Sequence, residues 1–274
     1  MKLIGSRLFF QSILLINSIF VLLPVFFLLN SSLRESNEFA RTPFALARNP
    51  FWENYRRVWS EGEFGSYFFN SLIITGGSLI LVLILSLGAG FVLGRYSFKG
   101  NSLVFGFILT GMLVPAKLAI LPLFIQLKWM NLLDSRIGLI LVYTSAALPA
   151  AIFIMSGFFK SLPTDLDNAA RIDGASEVTL LSKVLVPLVR PGMAIVGIYS
   201  AIPIWNDFFL PLVFLQSPEK KTLMQGLTVF FGQYASQWGV LFAGLCLAAL
   251  PLVVLYLILS EQFIKGLTAG AVKG

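Results

Sequence analysis

Hydrophobic positions in this chain come in long unbroken runs, unlike the alternating or one-faced patterns of soluble strands and helices. A bilayer core about 30 Å thick needs roughly 20 apolar residues of helix, each rising 1.5 Å. Six stretches approach or exceed that length: Leu8–Leu29, Tyr67–Leu93, Leu103–Leu121, Ile137–Phe159, Val184–Leu210 and Val240–Phe263. The pattern predicts an all-α polytopic membrane protein with six transmembrane helices, built as a single transmembrane domain over residues 1–274. Gly and Pro inside the runs fit this reading, because neighbouring helices can satisfy the backbone groups they free. The first run follows Lys2 and Arg7 as the core of a signal peptide would. It is too long for that role, and no small-residue cleavage site follows in Asn30-Ser31-Ser32-Leu33-Arg34, so it is read as a retained first span.

Polar segments separate the runs. Gly94–Ser102, Lys128–Arg136 and Gln216–Gly239 read as short connections, and Asn30–Ser66 as the longest one. In that segment Arg34, Arg41, Arg48, Arg56 and Arg57 are balanced by Glu35, Glu38, Glu53, Glu61 and Glu63. With Pro43, Pro50 and its aromatics, it is expected to fold against the membrane surface. Lys and Arg are spread evenly over the two sides, but Arg7, Arg95 and Lys99 stand close to span ends and favour both termini on the cytoplasmic side.

Composition agrees and narrows the chemistry. Hydrophobic residues make up 57% of the chain and charged ones 12%, against about 25% charged in soluble domains. The net charge is +7, but its basic residues stand singly, which argues against a nucleic-acid partner. Histidine is absent, and the one cysteine, Cys246, lies in an apolar run where it serves as a small hydrophobe. No metal or cofactor site is expected, and triad catalysis has no material here. The chain has no Gly-rich Lys-Ser/Thr phosphate loop, so it cannot hold ATP in the usual way.

Asp207 is a carboxylate inside a long apolar run, and a charge there needs a cavity or a partner. With Asn206 and a stacking Trp205 it lines a substrate path, or else it fixes the outer end of the fifth span. Lys117 is expected to snorkel to the headgroups. Gly76-Gly77 and Gly88-Ala89-Gly90 read as close-packing surfaces rather than a phosphate loop, since no strand precedes them.

The stretch Ser161–Lys183, between spans four and five, is polar yet patterned. Thr164 with Asp167 three residues on approximates a capping box, and Asp165 and Asp167 suit a helix N-terminus. Leu166, Ala169, Ala170 and Asp173 follow helical spacing, Gly174 interrupts, and Ser176 can cap a second short helix carrying Val178, Leu181 and Leu185. A helix, a Gly turn and a second helix are thus predicted on the membrane surface, either as a docking element for a soluble partner or as an amphipathic surface helix without one.

Asn168-Ala169-Ala170, then Gly174, then Val184-Leu185-Val186-Pro187 resembles the Glu-Ala-Ala…Gly…Ile-x-Leu-Pro loop of ABC importer permeases. Asn168 stands in place of Glu, Val184 of Ile and Val186 of Leu. Gly94-Arg95-Tyr96-Ser97-Phe98-Lys99-Gly100, Trp205-Asn206-Asp207-Phe208-Phe209-Leu210-Pro211 and the ending Lys265–Gly274 resemble the carbohydrate-uptake branch, and within it the shorter permease of maltose systems. The resemblance implies a permease subunit of a bacterial inner-membrane importer for a sugar or sugar-like solute. It further implies a cytoplasmic coupling helix, with Asp165, Asn168, Ala169, Ala170, Arg171, Asp173 and Gly174 at an ATPase joint and Asp167 among its surface polar contacts. The implied partners are a second, different permease, two ATPase subunits and an extracytoplasmic solute-binding protein. A membrane-embedded enzyme would need more intramembrane acids or a nucleophile with its base. A stand-alone carrier would need its own ion sites and has no use for this loop. A permease for amino acids or phosphate is the nearer alternative.

Overall fold

Every regular element among the described residues, 2–60, 63–113 and 118–271, is helical in the computed structural model. In chain order the elements are α1 (Lys2–Ser32), α2 (Ser36–Arg41), α3 (Glu53–Ser60), α4 (Phe64–Arg95), α5 (Asn101–Thr110), α6 (Ile120–Trp129), α7 (Arg136–Ser161) and α8 (Asp165–Ile172). They continue with α9 (Glu177–Thr179), α10 (Val186–Leu188), α11 (Arg190–Asn206), α12 (Phe209–Phe214), α13 (Leu223–Gln233) and α14 (Trp238–Ala271). Four helices, α1, α4, α7 and α14, are long and apolar enough to cross a membrane, and a fifth span exists if the bent pair Glu177–Leu188 and Arg190–Asn206 counts as one. Lys117 and Val272–Gly274 lie outside the described residues.

Two compact units are present, Met1–Gly65 with Gly226–Pro251, and Ser66–Gln225 with Leu252–Gly274. In the first, the side chains of α1 from Phe9 to Phe26 are all exposed, as suits a helix whose surroundings are lipid or another membrane chain. The segment after it is knotted around Arg34, whose side chain is fully buried. Its guanidinium donates to the Thr42 carbonyl at 2.8 Å, the Thr42 hydroxyl at 2.9 Å and the Glu38 carbonyl at 3.2 Å. Asn54 on α3 donates to the carbonyls of Ser32 and Arg34 at 2.8 and 2.9 Å. A Cβ on Gly239 would stand 2.3 Å from the Arg34 carbonyl oxygen, so α14 begins at a place where only glycine fits.

In the second unit α7 lies against α5, α11 and α12. One core, with Phe91, Met155, Phe159 and Val196, extends to Ala170, Leu180 and Leu185 beyond the spans. Another gathers Ile74, Leu139, Tyr143, Ile204, Leu210 and Phe214 at the other end of α7. Gly90 and Gly94, one helical turn apart, bring α4 against α7. A Cβ on Gly90 would meet Met155 Cβ at 2.7 Å, and one on Gly94 would meet the Ser156 carbonyl oxygen at 2.9 Å. Of the glycines expected to mark close packing, Gly77 faces the Ile140 side chain, while Gly76 and Gly88 have open space.

Three expected elements differ from the observed ones. The third run is not one helix: α5 and a following 3-10 turn end at Leu113, and Ile120 opens α6, which carries Lys128 inside it. The fifth run is broken twice. Its start belongs to the preceding loop, and the chain turns by 76° between Leu188 and Arg190. Pro191 cannot donate to the carbonyl of Pro187, and its ring crowds it. A wide π turn over Leu180–Leu185 precedes Pro187 and relieves the equivalent crowding there. α11 then has 17 residues, about 25 Å of helix, and stops at Asp207. Finally, the connection Gln216–Gly239 is not simply polar coil but holds α13.

Candidate functional site

The segment from Leu162 to Val189 forms an ordered loop fastened to the ends of α4 and α7 by Arg95. This is the first charge after the long apolar run of α4, and its side chain is buried. Nη1 donates to the carbonyls of Phe159 and Leu162 at 3.1 and 2.7 Å, and Nη2 to that of Pro163 at 2.9 Å. Nε donates to Asp167 Oδ2 at 3.0 Å, and Nη2 also reaches Oδ1, giving a bidentate pair. The carbonyls that Arg95 collects lie at the C-terminus of α7 and just beyond it, where intrahelical donors run out (Phe159 also accepts from the Leu162 N–H at 3.3 Å), and a planar five-donor fork can reach them together.

Asp167 is therefore neither a cap partner nor a surface contact. Thr164 makes no side-chain cap bond, and the Asp167 carboxylate is turned inward to Arg95. The reading from spacing fails because a buried cation on another helix outbids a local cap. Ser176 behaves as expected, accepting from the Thr179 N–H at 3.3 Å.

With Asp167 and Ala170 facing inward, α8 presents Asp165, Asn168, Ala169 and Ile172 outward at helical spacing. Ile172 is 86% exposed, and Val178 beyond the turn is 76% exposed. Arg171, Asp173 and Gly174 are exposed as well. The expected face of small residues is thus split, with Ala170 in the core and Ala169 on the surface. Gly174 holds φ at +78°, which closes the turn and which an L side chain adopts only with strain.

A surface cluster ties the second turn back to the segment after α4. Arg171 Nε donates to Glu177 Oε1 at 3.1 Å and Nη2 to the Tyr96 hydroxyl at 3.3 Å, while that hydroxyl donates to Glu177 Oε2. The hydrogen bonds from Tyr96 and Arg171 hold the Glu177 carboxyl below its ordinary pKa. For Tyr96, burial and the neighbouring Glu177 raise the hydroxyl's pKa.

The three residues expected on a substrate path part company. Trp205 is buried, edge-on to Phe68 at 5.9 Å. Asn206 is exposed, and its amide donates to the Ile202 carbonyl at 3.0 Å. Asp207 ends α11 in extended conformation and caps α12, accepting from Phe209 N at 2.9 Å and Leu210 N at 3.4 Å. It also accepts from the Tyr143 hydroxyl on α7 at 2.8 Å. Asn206 and Asp207 border a cleft of about 470 Å³ that Tyr143, Tyr199, Ser200 and Phe209 also line. Tyr143 and the Tyr199-Ser200 pair were visible in the sequence as polar interruptions of apolar runs. Spacing alone does not say that α7 and α11 bring them together.

The family described as "Binding-protein-dependent transport system inner membrane component" matches residues 86–267, which include the loop and the cleft. The chain belongs to this family. This inner membrane component is 36% identical over 262 residues to the diacetylchitobiose uptake system permease protein NgcG of Streptomyces coelicolor, covering 95% of this chain and 87% of that one. It is 34% identical over 275 residues to the arabinooligosaccharides transport system permease protein AraQ of Bacillus subtilis, covering 99% and 96%. Its fold is similar to that of a chain in the crystal structure of a bacterial ABC transporter involved in the import of the acidic polysaccharide alginate. That likeness has a TM-score of 0.79 at 23% identity over 94% of this chain and 98% of that one. As an inner membrane component the protein is a multi-pass subunit of an ABC transport system that depends on a binding protein, and it is not itself an enzyme.

Proposed function

We propose that this chain is one of two different membrane-spanning subunits of a bacterial importer that carries a sugar or sugar-like solute inward at the expense of ATP. The solute class is supported by relatives named for diacetylchitobiose and arabinooligosaccharide uptake. The observation that carries the coupling role is the outward stripe Asp165, Asn168, Ala169 and Ile172, with Val178 beside it, held on a loop that Arg95 pins from behind. Ile172 and Val178, apolar yet strongly exposed among polar neighbours on an ordered loop, make a surface suited to another protein. In this reading an ATPase subunit seats on that surface, with Arg171, Asp173 and Gly174 at its edge and Ala170 supporting it from the core. Two such ATPases, the second permease and an extracytoplasmic solute-binding protein complete the importer, and both termini of this chain face the cytoplasm.

The test is co-expression with a second permease and an ATPase, purification by a tag on this chain alone, and assay of ATP hydrolysis. Gly174→Ala brings only the backbone strain of a positive φ, roughly 1 kcal/mol, and should keep the ATPase bound. Gly174→Arg adds bulk and charge at the exposed turn and should release the ATPase or lower coupled hydrolysis about tenfold, as loss of a central interface contact does. A chain that purifies alone and moves solute without ATP would sink the importer reading in favour of a stand-alone carrier.

A further inference from the structure

Five serine and threonine side chains inside the spans of the second unit share one habit that Ser200 lacks. Ser78, Ser86, Thr144, Ser145 and Ser156 each donate to a carbonyl three or four residues back on the same helix. Such back-bonding is how a hydroxyl lives in an apolar helix. Ser200, on α11, is 2% exposed, and its hydroxyl has no hydrogen-bond partner among the described residues. A buried hydroxyl without a partner is unfavourable, and here it lies in the wall of the cleft beside Asp207.

The rest of the wall has a definite chemistry. Tyr143 and Tyr199 supply aromatic rings, and Phe209 adds a third. Asp207 spends three bonds on Tyr143, Phe209 and Leu210, and Oδ1, which takes only the Phe209 N–H, keeps acceptor capacity for a donor in the cleft. Asn206 commits its amide N–H to Ile202, and its side-chain oxygen remains as an acceptor at the rim. Among the described residues no Lys or Arg lines the cleft, and the one formal charge they place there is negative. Acceptors beside aromatic rings suit a molecule of many hydroxyls with apolar ring faces, and the uncompensated carboxylate repels anions.

We propose that this cleft is the wall that the present chain gives to the solute path, and that it takes an uncharged, hydroxyl-rich saccharide through contacts to Ser200 Oγ and the Asp207 carboxylate while disfavouring anionic sugars. This rests on the importer reading above and adds the charge class of the solute and the residues that read it.

The experiment uses the whole importer in proteoliposomes, with Cys246→Ser as background and Ser200→Cys as reporter. Its thiol is titrated with a cationic and an anionic water-soluble thiosulfonate, each normalised to its rate on free cysteine. The cationic reagent is expected to react about tenfold faster, as one nearby carboxylate at low local dielectric requires, and Asp207→Asn should abolish that preference. At least one member of a panel of neutral di- and trisaccharides should slow labelling several-fold, and uronate-bearing oligosaccharides of equal length should not. Asn206→Cys at the rim serves as the reporter if Ser200→Cys does not assemble.

A thiol that stays unlabelled while ATP hydrolysis remains coupled would mean that protein or lipid fills the cleft, overturning this proposal but not the importer. Equal rates for both reagents, protection by uronates, or protection by no saccharide would overturn it too. Failure of the unsubstituted chain to bind an ATPase would remove the importer reading, and this proposal with it.

Discussion

Single residues do most of the fastening in this chain, and the two carboxylates that matter most outside the spans are both held by donors. Asp167 is buried against Arg95, and among the described residues neither forms another ion pair. Removing one charge strands the other, which in buried pairs costs about 3–5 kcal/mol. Asp167→Asn should therefore lower the thermal midpoint of the detergent-solubilised protein by several degrees and expose the loop to protease, whereas Asp165→Asn, on the exposed side of α8, should do neither. Equal effects of the two would refute the assignment of Arg95 as the anchor.

Asp134, before α7, accepts from the N–H groups of Gln216 and Ser217, from the Ser217 hydroxyl and from Lys220 Nζ at 3.0 Å. Burial opposes its charge, but the bonds from Ser217, Lys220 and Gln216 outweigh it and hold the carboxyl well below its ordinary range. A carboxyl whose pKa is lower folded than unfolded stabilises above the unfolded value, about 3.9, and loses that stabilisation as pH falls through the folded one. The thermal midpoint of Asp134→Asn should thus sit below that of the parent chain at pH 7, by on the order of 2 kcal/mol in stability. The gap should hold from pH 8 to pH 5 and narrow only under strong acid. A gap that closes near pH 6 would mean another group is responsible.

Among the elements, the pairing of α4 with α7 decides where the loop is anchored, and it depends on two glycines. Gly90→Leu would drive a side chain into Met155 Cβ and the Ser156 backbone, so α4 must move off α7. Overpacking of this kind costs typically 1–3 kcal/mol, and the Arg95 fork one turn further on would lose its reach to Asp167. The expected outcome is a lower thermal midpoint with faster proteolysis of the loop, while Gly88→Leu, whose Cβ has open space, leaves both unchanged. A destabilised Gly88→Leu with an intact Gly90→Leu would reverse the assigned face.

The sequence pointed to glycine packing in this helix but not to the right pair. Gly90 and Gly94 are one turn apart and share a face, yet which face meets α7 depends on a partner helix that no local pattern names. Pro187 and Pro191 were equally visible, but hydropathy runs straight through them. The 76° bend follows from the backbone bonds that prolines cannot make, not from polarity. Asp207 was singled out as a charge in an apolar run. Its second role, ending α11 and capping α12, came from the same short acceptor side chain and was legible only once the two helices were separate.

At the scale of the molecule, the helical class and the membrane setting were carried by the length of the apolar runs, and the family by the loop and the segments around Arg95, Trp205 and the C-terminus. Less legible was which charges face outward. Charge and spacing place Asp167 beside Asp165, and only the distant Arg95 turns one inward and leaves the other in solvent. The cleft was half legible for the same reason. Asn206 and Asp207 border it, Trp205 is packed behind it, and Tyr143 reaches it from a helix 64 residues before Asp207.

The Arg95 fork and the bend at Val189 also make the loop mechanically lopsided. On one side it is riveted to α4 and α7 by a guanidinium with no slack. On the other it reaches α11 through a widened turn and a break where two prolines leave backbone bonds unmade. A push on the outer face of α8 would then travel into α4 and α7 as a stiff thrust, while α11 receives it through a compliant elbow. The fulcrum of the stroke would lie at Val189, and the helix that carries Ser200 and Asp207 would pivot there rather than slide.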